Sequence, residues 1–256
     1  MTGHGLHVVQ DGPRQGPALL LIHGSGAAAS SWDLMVPWLA TVCHVIRVDL
    51  SGCGQSPPAA EYDVPGQAAL VARVLDERGL RGVAVAGHSS GGYVGTALAE
   101  RRPELVGSLT LIGTGPSMDA LRPQPLVLRL LLGPPFGALI WRVRTDAWIR
   151  KGIAATAARP VDVPDSVVAG VRGITYRSMR KVLRANTAYL EERTLPERLA
   201  VLAVPVLAIC GDADPKWDPS AARRYPRVEM MPGVGHLPIL EAPEATSKLL
   251  LDFVGA

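Results

Sequence analysis

The sequence holds 256 residues, 48% of them hydrophobic and 19% charged, and its 26 basic and 23 acidic side chains give a formal net charge of +3. A chain of this length buries roughly 70–75% of the surface its unfolded form exposes, so a core needs no disulfide or metal staple. The balanced charge excludes a strongly basic nucleic-acid footprint, while a pI near 8.9 leaves a mild preference for anionic ligands.

The opening stretch "MTGHGLHVVQDGPRQG" has no basic region followed by an apolar one, so no signal peptide is expected. Strands are predicted at Leu6–Val9, Ala18–Gly24 and His44–Leu50, with a helix over Ser31–Leu39 that Ser30 or Ser31 can cap. A helix over Gly66–Arg78, stopped by Gly79, leads to a strand at Gly82–Ser89, a helix at Gly91–Arg101 and a strand at Ser108–Gly115. Several of these runs are apolar on both faces, as expected of strands covered by helices on each side.

From Pro116 to Leu199 the strand rhythm stops, prolines cluster, and the remainder reads as helical segments. The most apolar tract there, Pro125–Trp141, is interrupted by Arg129 and by Gly133-Pro134-Pro135. It falls short of the ~18 uninterrupted apolar residues a membrane span needs, and reads as two short helices joined by a turn. Strands resume at Pro205–Asp214 and Arg227–Met231, followed by a helix at Ala242–Phe253. The expected fold is α/β, a mostly parallel twisted sheet with helices on both faces and a helical cap inserted between core strands. Residues 1–115 and 200–256 would form the core, and 116–199 the insertion. Cys43, Cys53 and Cys210 show no metal-ligand or CxxC spacing, which fits reduced thiols in a cytoplasmic protein.

The chemistry centres on Gly87-His88-Ser89-Ser90-Gly91-Gly92. A strand turning sharply into a helix needs small neighbours, and glycines two before and two after Ser89 supply them. Such a turn lifts the Ser89 hydroxyl clear of the sheet and leaves the Ser90 N–H beside it as a donor to a developing oxyanion. Serine is a weak nucleophile without a base, and the base needs an orienting acid. His236, after the last strand in "PGVGHLP", sits at the sheet edge where such groups gather. His4 and His7 belong to a loose N-terminus, His44 starts a strand, and His88 should turn into packing. In "ICGDADPKWDP" both Asp212 and Asp214 follow a strand end; Asp214 is favoured as the acid, with Asp212 as a turn or capping residue. Ser25, in the loop after His23-Gly24, is assigned as the second oxyanion N–H.

These residues together resemble the α/β-hydrolase fold superfamily. The matching segments are "HGSG" (His23–Gly26), Trp32, "DLSGCGQS" (Asp49–Ser56), "GHSSGG", "GDAD" (Gly211–Asp214) and "GVGHLP" (Gly233–Pro238), about two thirds of the chain. The resemblance implies Ser89 as nucleophile, Asp214 as acid and His236 as base, oxyanion donors at Ser25 and Ser90, and a variable lid in the insertion. It departs from the family at Ser90, often Met or Gln, at Ser51, which stands in an Arg position, and in an abbreviated N-terminal hairpin. Serine rather than aspartate at position 89 disfavours the dehalogenase and epoxide hydrolase branches. The expectation is hydrolysis of an ester, thioester, lactone or related acyl bond of a small to medium, partly apolar substrate. The alternatives are a lyase, acyltransferase, cyclase or cofactor-free oxygenase using the same triad, and, more remotely, a ligand-binding module. No cofactor, metal, nucleic-acid partner or membrane span is expected, and the oligomeric state stays open.

Overall fold

The computed structural model describes residues 5–123 and 133–255. Among them, seven strands form one sheet: β1 (Val8–Asp11), β2 (Ala18–Ile22), β3 (His44–Val48), β4 (Val83–His88), β5 (Val106–Ile112), β6 (Val206–Gly211) and β7 (Val228–Met231). Their order is β1-β3-β2-β4-β5-β6-β7. β1 runs antiparallel to β3, and every other neighbouring pair is parallel.

The central strands are apolar throughout because both faces are covered. Along β2, Leu20 and Ile22 join the core on one face while Leu19 and Leu21 join the core on the other, as alternation along a strand requires. The first core takes in α2 (Val64–Asp76) and α3 (Gly91–Arg101) through Val71, Leu75 and Leu98; the second takes in Trp32, Met35 and Leu250. β3 also buries Arg47, a charge tolerable only when paired. It donates to Asp11 Oδ2 at 2.9 Å and Asp33 Oδ1 at 2.6 Å. Asp63 caps α2 by accepting the Gly66 N–H at 2.7 Å. Cys43, Cys53 and Cys210 are buried and unpaired, and burial pushes the Cys53 and Cys210 thiols up to about 12.

Three expectations need correction. The predicted helix Ser31–Leu39 is split into a tight turn over Ala29–Trp32 and a short α1 (Val36–Leu39). Pro37 lacks the N–H that would continue one helix, and Asp49 and Arg47 tie Ala29 into the core from either side. Neither Ser30 nor Ser31 caps it: their hydroxyls donate to the Ser166 and Ala28 carbonyls instead. The first strand begins at Val8 rather than Leu6 and pairs with β3, whose register sets its bounds.

Between β5 and β6 lie α4 (Gly137–Val143), α5 (Asp146–Ala154), α6 (Asp165–Arg172), α7 (Tyr176–Glu192) and α8 (Leu195–Leu199). Of the two helices expected in Pro125–Trp141, the first lies outside the described residues. α5 and α6 share a small core of Ile149, Val163, Val167 and Val168. The end of the insertion is fastened to α3, where Glu100 accepts from Arg198 at 3.2 Å and from Tyr189 at 3.1 Å. Beyond β7, Pro243 separates α9 (Pro238–Glu241) from α10 (Pro243–Val254). Among the described residues, no helix is long and apolar enough to cross a membrane.

Candidate active site

β4 ends at His88 and α3 begins at Gly91, so the chain reverses direction within two residues. Ser89 absorbs that turn at φ +50°, the one non-glycine residue among those described with positive φ. L-residues rarely hold that conformation, and its persistence requires surroundings that impose it. The Ser89 N–H donates to the Ile112 carbonyl at 2.8 Å, and Thr114 Oγ1 donates to the Ser89 carbonyl at 2.9 Å. The flanking glycines are sterically demanded: a Cβ on Gly87 would lie 2.4 Å from the Gly91 backbone, and one on Gly91 would lie 2.2 Å from the Ile22 carbonyl oxygen.

The Ser89 hydroxyl lies 3.1 Å from His236 Nε2, and His236 Nδ1 lies 2.9 Å from Asp214 Oδ2. An ionised Asp214 can only accept, so Nδ1 carries the proton and Nε2 is free to accept from Ser89. Burial opposes ionisation of Asp214, but the hydrogen bond and charge of His236 and the N–H groups of Lys216 and Trp217 hold its carboxyl below the usual carboxylate range. Those two N–H groups reach Oδ1 at 2.7 and 3.2 Å. Asp212 points elsewhere: its Oδ1 accepts the Gly233 N–H at 2.7 Å and closes the turn after β7. Burial pushes His236 below the ordinary histidine value; the Lys216 charge adds to that, and Asp214 opposes it.

Two other groups hold the His236 loop in ways the sequence did not reveal. His88 turns aside from the elbow, as its position predicts, but it also donates through Nε2 to the His236 carbonyl at 3.0 Å. Burial pushes its pKa down to about 3, so it stays neutral in that role. Glu241 accepts the N–H groups of Gly235, at 2.9 Å, and Leu237, at 3.0 Å, bracketing the histidine. The insertion contributes as well, since the His236 N–H donates to the Thr156 carbonyl at 2.9 Å.

Opposite His236 lies the Ser25 loop. Among the described residues, the amide N–H groups of Ser25 and Ser90 have no protein acceptor. His23 steadies this loop: Nε2 accepts the Leu50 N–H at 2.9 Å, leaving protonated Nδ1 to donate to the Gly24 carbonyl at 2.8 Å. The Ser25 hydroxyl donates to Ser90 Oγ at 2.8 Å and accepts from Asn186 Nδ2 of α7 at 2.9 Å. A chain of three side chains therefore links both candidate oxyanion residues to the insertion.

A cavity of about 390 Å³ opens above Ser89, within the range of small-molecule sites. On one side α7 presents Leu183, Asn186, Thr187 and Leu190, whose spacing places them on one helical face. On the other are Met118, Leu121, Trp217 and Lys216. Lys216 Nζ lies 3.4 Å from Ser89 Oγ. It stands two residues after Asp214 in "GDADPKWDP", and a cation so close to that motif is the signal that could have found it. Among the described residues, no group of histidine, cysteine and carboxylate side chains could hold a metal ion.

A sequence model of the Alpha/beta hydrolase family matches residues 19–249. The pimeloyl-[acyl-carrier protein] methyl ester esterase of Aeromonas hydrophila subsp. hydrophila is 30% identical over 251 residues, covering 94% of this chain and 96% of its own. Among solved structures, a membrane phospholipase A described as a novel bacterial virulence factor is similar over 98% of this chain and 82% of its own, with a TM-score of 0.75 and 30% identity. The N-acyl homoserine lactonase AidH, complexed with N-butanoyl homoserine, shares the fold at a TM-score of 0.80 and 20% identity, over 99% of this chain and 94% of its own.

Proposed function

The chain belongs to the alpha/beta hydrolase family, and we propose that it is a serine hydrolase of an ester, thioester, lactone or related acyl bond. Ser89 Oγ attacks the acyl carbon while its proton passes to His236 Nε2. The Ser25 and Ser90 N–H groups receive the carbonyl oxygen as it becomes an oxyanion; one such donor is worth about 3 to 4 kcal/mol of transition-state stabilisation. The leaving group departs with the proton from His236, leaving Ser89 acylated. Water then attacks as His236 takes its proton, and the acid and free Ser89 are released. Asp214 keeps the imidazole in the reactive tautomer and stabilises its charged form.

Residues 116–199 act as a lid, with Leu183 and Leu190 of α7 over the acyl group. The observation that carries this reading is the relay from Ser89 through His236 to Asp214, at 3.1 and 2.9 Å, on a serine held at φ +50°. The esterase named among its relatives supports acyl hydrolysis as the reaction class. Labelling with a fluorophosphonate probe tests it. The native protein and Ser90→Ala should label and Ser89→Ala should not. An unlabelled native protein that turns over no ester would overturn the reading.

A further inference from the structure

Lys216 passes no proton in the relay, yet its ammonium lies 3.4 Å from the Ser89 hydroxyl. Its position is built in. The Leu121 and Trp217 backbones form an antiparallel bridge, flanked by hydrogen bonds from the Arg122 N–H to the Lys216 carbonyl at 2.9 Å and from the Asp218 N–H to the Ala120 carbonyl at 2.9 Å. The Lys216 N–H is engaged with Asp214 Oδ1, which fixes the backbone and sends the side chain towards Ser89.

Among the described residues, the ammonium group has no carboxylate partner within ion-pair distance, and the cavity lining holds Lys216 and Arg122 but neither Asp nor Glu. Burial lowers the Lys216 pKa, with Asp214 opposing, which marks the charge as poorly solvated where it stands. The half-buried ammonium faces a cavity of mixed apolar and neutral polar lining, with the Ser89 hydroxyl at 3.4 Å and the Trp217 ring centroid at 5.7 Å as its neighbours, a placement suited to receiving an anion.

We propose that Lys216, supported by Arg122 at the cavity rim, binds a carboxylate that the substrate carries a few bonds from its scissile carbonyl. This rests on the hydrolase reading and narrows it to anionic acyl compounds, such as half-esters of short dicarboxylic acids. The apolar groups Met118, Leu121, Leu183 and Leu190 then hold the methylenes between the two ends. The carboxylate can sit on the acyl side or on the alcohol side of the bond; the ammonium group recognises both by the same chemistry.

Two matched ester pairs separate these sources. Monomethyl glutarate against methyl pentanoate places the charge in the acyl group, and acetoxyacetate against propyl acetate places it in the alcohol. The native protein should favour the anionic ester of at least one pair by tenfold or more in kcat/KM. Lys216→Met should lower that ratio by roughly 10- to 100-fold, mainly through KM, as expected for loss of a charge-assisted hydrogen bond. Lys216→Arg should retain part of it and confirms that the fold tolerates change at this position. A second readout is independent of turnover: calorimetric binding of glutarate to Ser89→Ala should weaken at least tenfold when Lys216→Met is added. The proposal is overturned if the native protein prefers neither anionic ester, or if Lys216→Met slows the neutral and anionic members of a pair by the same factor. Absence of any ester turnover, with glutarate still bound through Lys216, would instead sink the hydrolase reading and leave the anion site standing.

Discussion

The elbow around Ser89 and the helices that overhang it are built to different tolerances. At the elbow, backbone meets backbone: added methyl groups at Gly87 and Gly91 would sit 2.4 and 2.2 Å from peptide atoms. In the insertion, Gly152 of α5 has nothing within 4 Å of where its Cβ would be. The segment after β5 is tight in places, since a Cβ on Gly235 beside His236 would lie 2.5 Å from the Ala158 nitrogen, but above Ser89 it reaches the site through side chains such as Asn186, which bonds Ser25. The contrast separates two duties. Close backbone packing surrounds Ser89, while side chains of α7 line the cavity above it.

The sharpest way to break this division is to remove the reacting groups and leave the scaffold. Ser89→Ala and His236→Ala should each lower kcat by roughly ten-thousand-fold or more, and the double variant should fall little further, because the two act as a unit. Steady-state kinetics on a chromogenic ester measures this, and equal melting temperatures would show that only chemistry was lost. Asp214→Asn should cost roughly ten-thousand-fold by permitting the wrong tautomer. Asp212→Asn, whose native carboxylate bonds only a turn, should stay within a few-fold of native activity.

The glycines test the scaffold side. Gly91→Ala should destabilise by about 3 kcal/mol through overpacking against the Ile22 and His23 carbonyls. Thermal unfolding would report this as a drop of roughly 6 to 12 °C for a chain of this size. Gly152→Ala, in the open last turn of α5, should instead stabilise by about 0.5 to 1 kcal/mol, since alanine loses less backbone freedom in a helix. If both substitutions destabilised alike, the two regions would not differ as described.

The same contrast governs how much could be read before the structure. The turn in "GHSSGG" was legible because it is local: glycine spacing dictates where the backbone can turn, and α3 runs over Gly91–Arg101 as the pattern required. The acid and histidine loops were legible for a related reason, each following a strand end at one edge of the sheet. The sequence favours Asp214 over Asp212 although both are loop carboxylates, and the paired strands β6 and β7 place Asp214 against His236 and Asp212 against the Gly233 turn. Ser31–Leu39 failed as one helix because buried Arg47 and Asp49, distant in sequence, govern its first turn. Asn186 was invisible because a helix face formed far along the chain points it at Ser25, and Lys216, although close to Asp214 in sequence, needs the Leu121–Trp217 bridge to bring it to Ser89.

Asn186 tests the side-chain link between the regions. Asn186→Ala removes the hydrogen bond to Ser25 Oγ and frees that hydroxyl to rotate away from Ser90. One such bond contributes about 1 kcal/mol, so kcat should fall roughly five- to tenfold with KM for a small ester changed less. A loss falling wholly on KM would mean that Asn186 contacts substrate instead of steadying the Ser25 loop.

The smallest expected effect is a displacement of the pH profile. In the proposed reaction His236 accepts the Ser89 proton and must be neutral, so activity should fall on the acid side as His236 becomes protonated. Burial and then the Lys216 charge lower its pKa from the ordinary 6.5, against the pull of Asp214, which places the acid limb of kcat/KM below that value. Lys216→Met removes one of the two lowering causes and leaves burial and Asp214 in place. His236 then holds its proton to higher pH, and the acid limb moves upward. Measured with a neutral ester, this displacement is independent of any carboxylate at Lys216, because only the charge beside the imidazole has changed. Added salt should mimic it weakly at most, since a half-buried charge a few ångströms from Ser89 Oγ is poorly screened. An acid limb that stays fixed in Lys216→Met would mean that the ammonium group lies farther from the imidazole during turnover than its resting position beside Ser89.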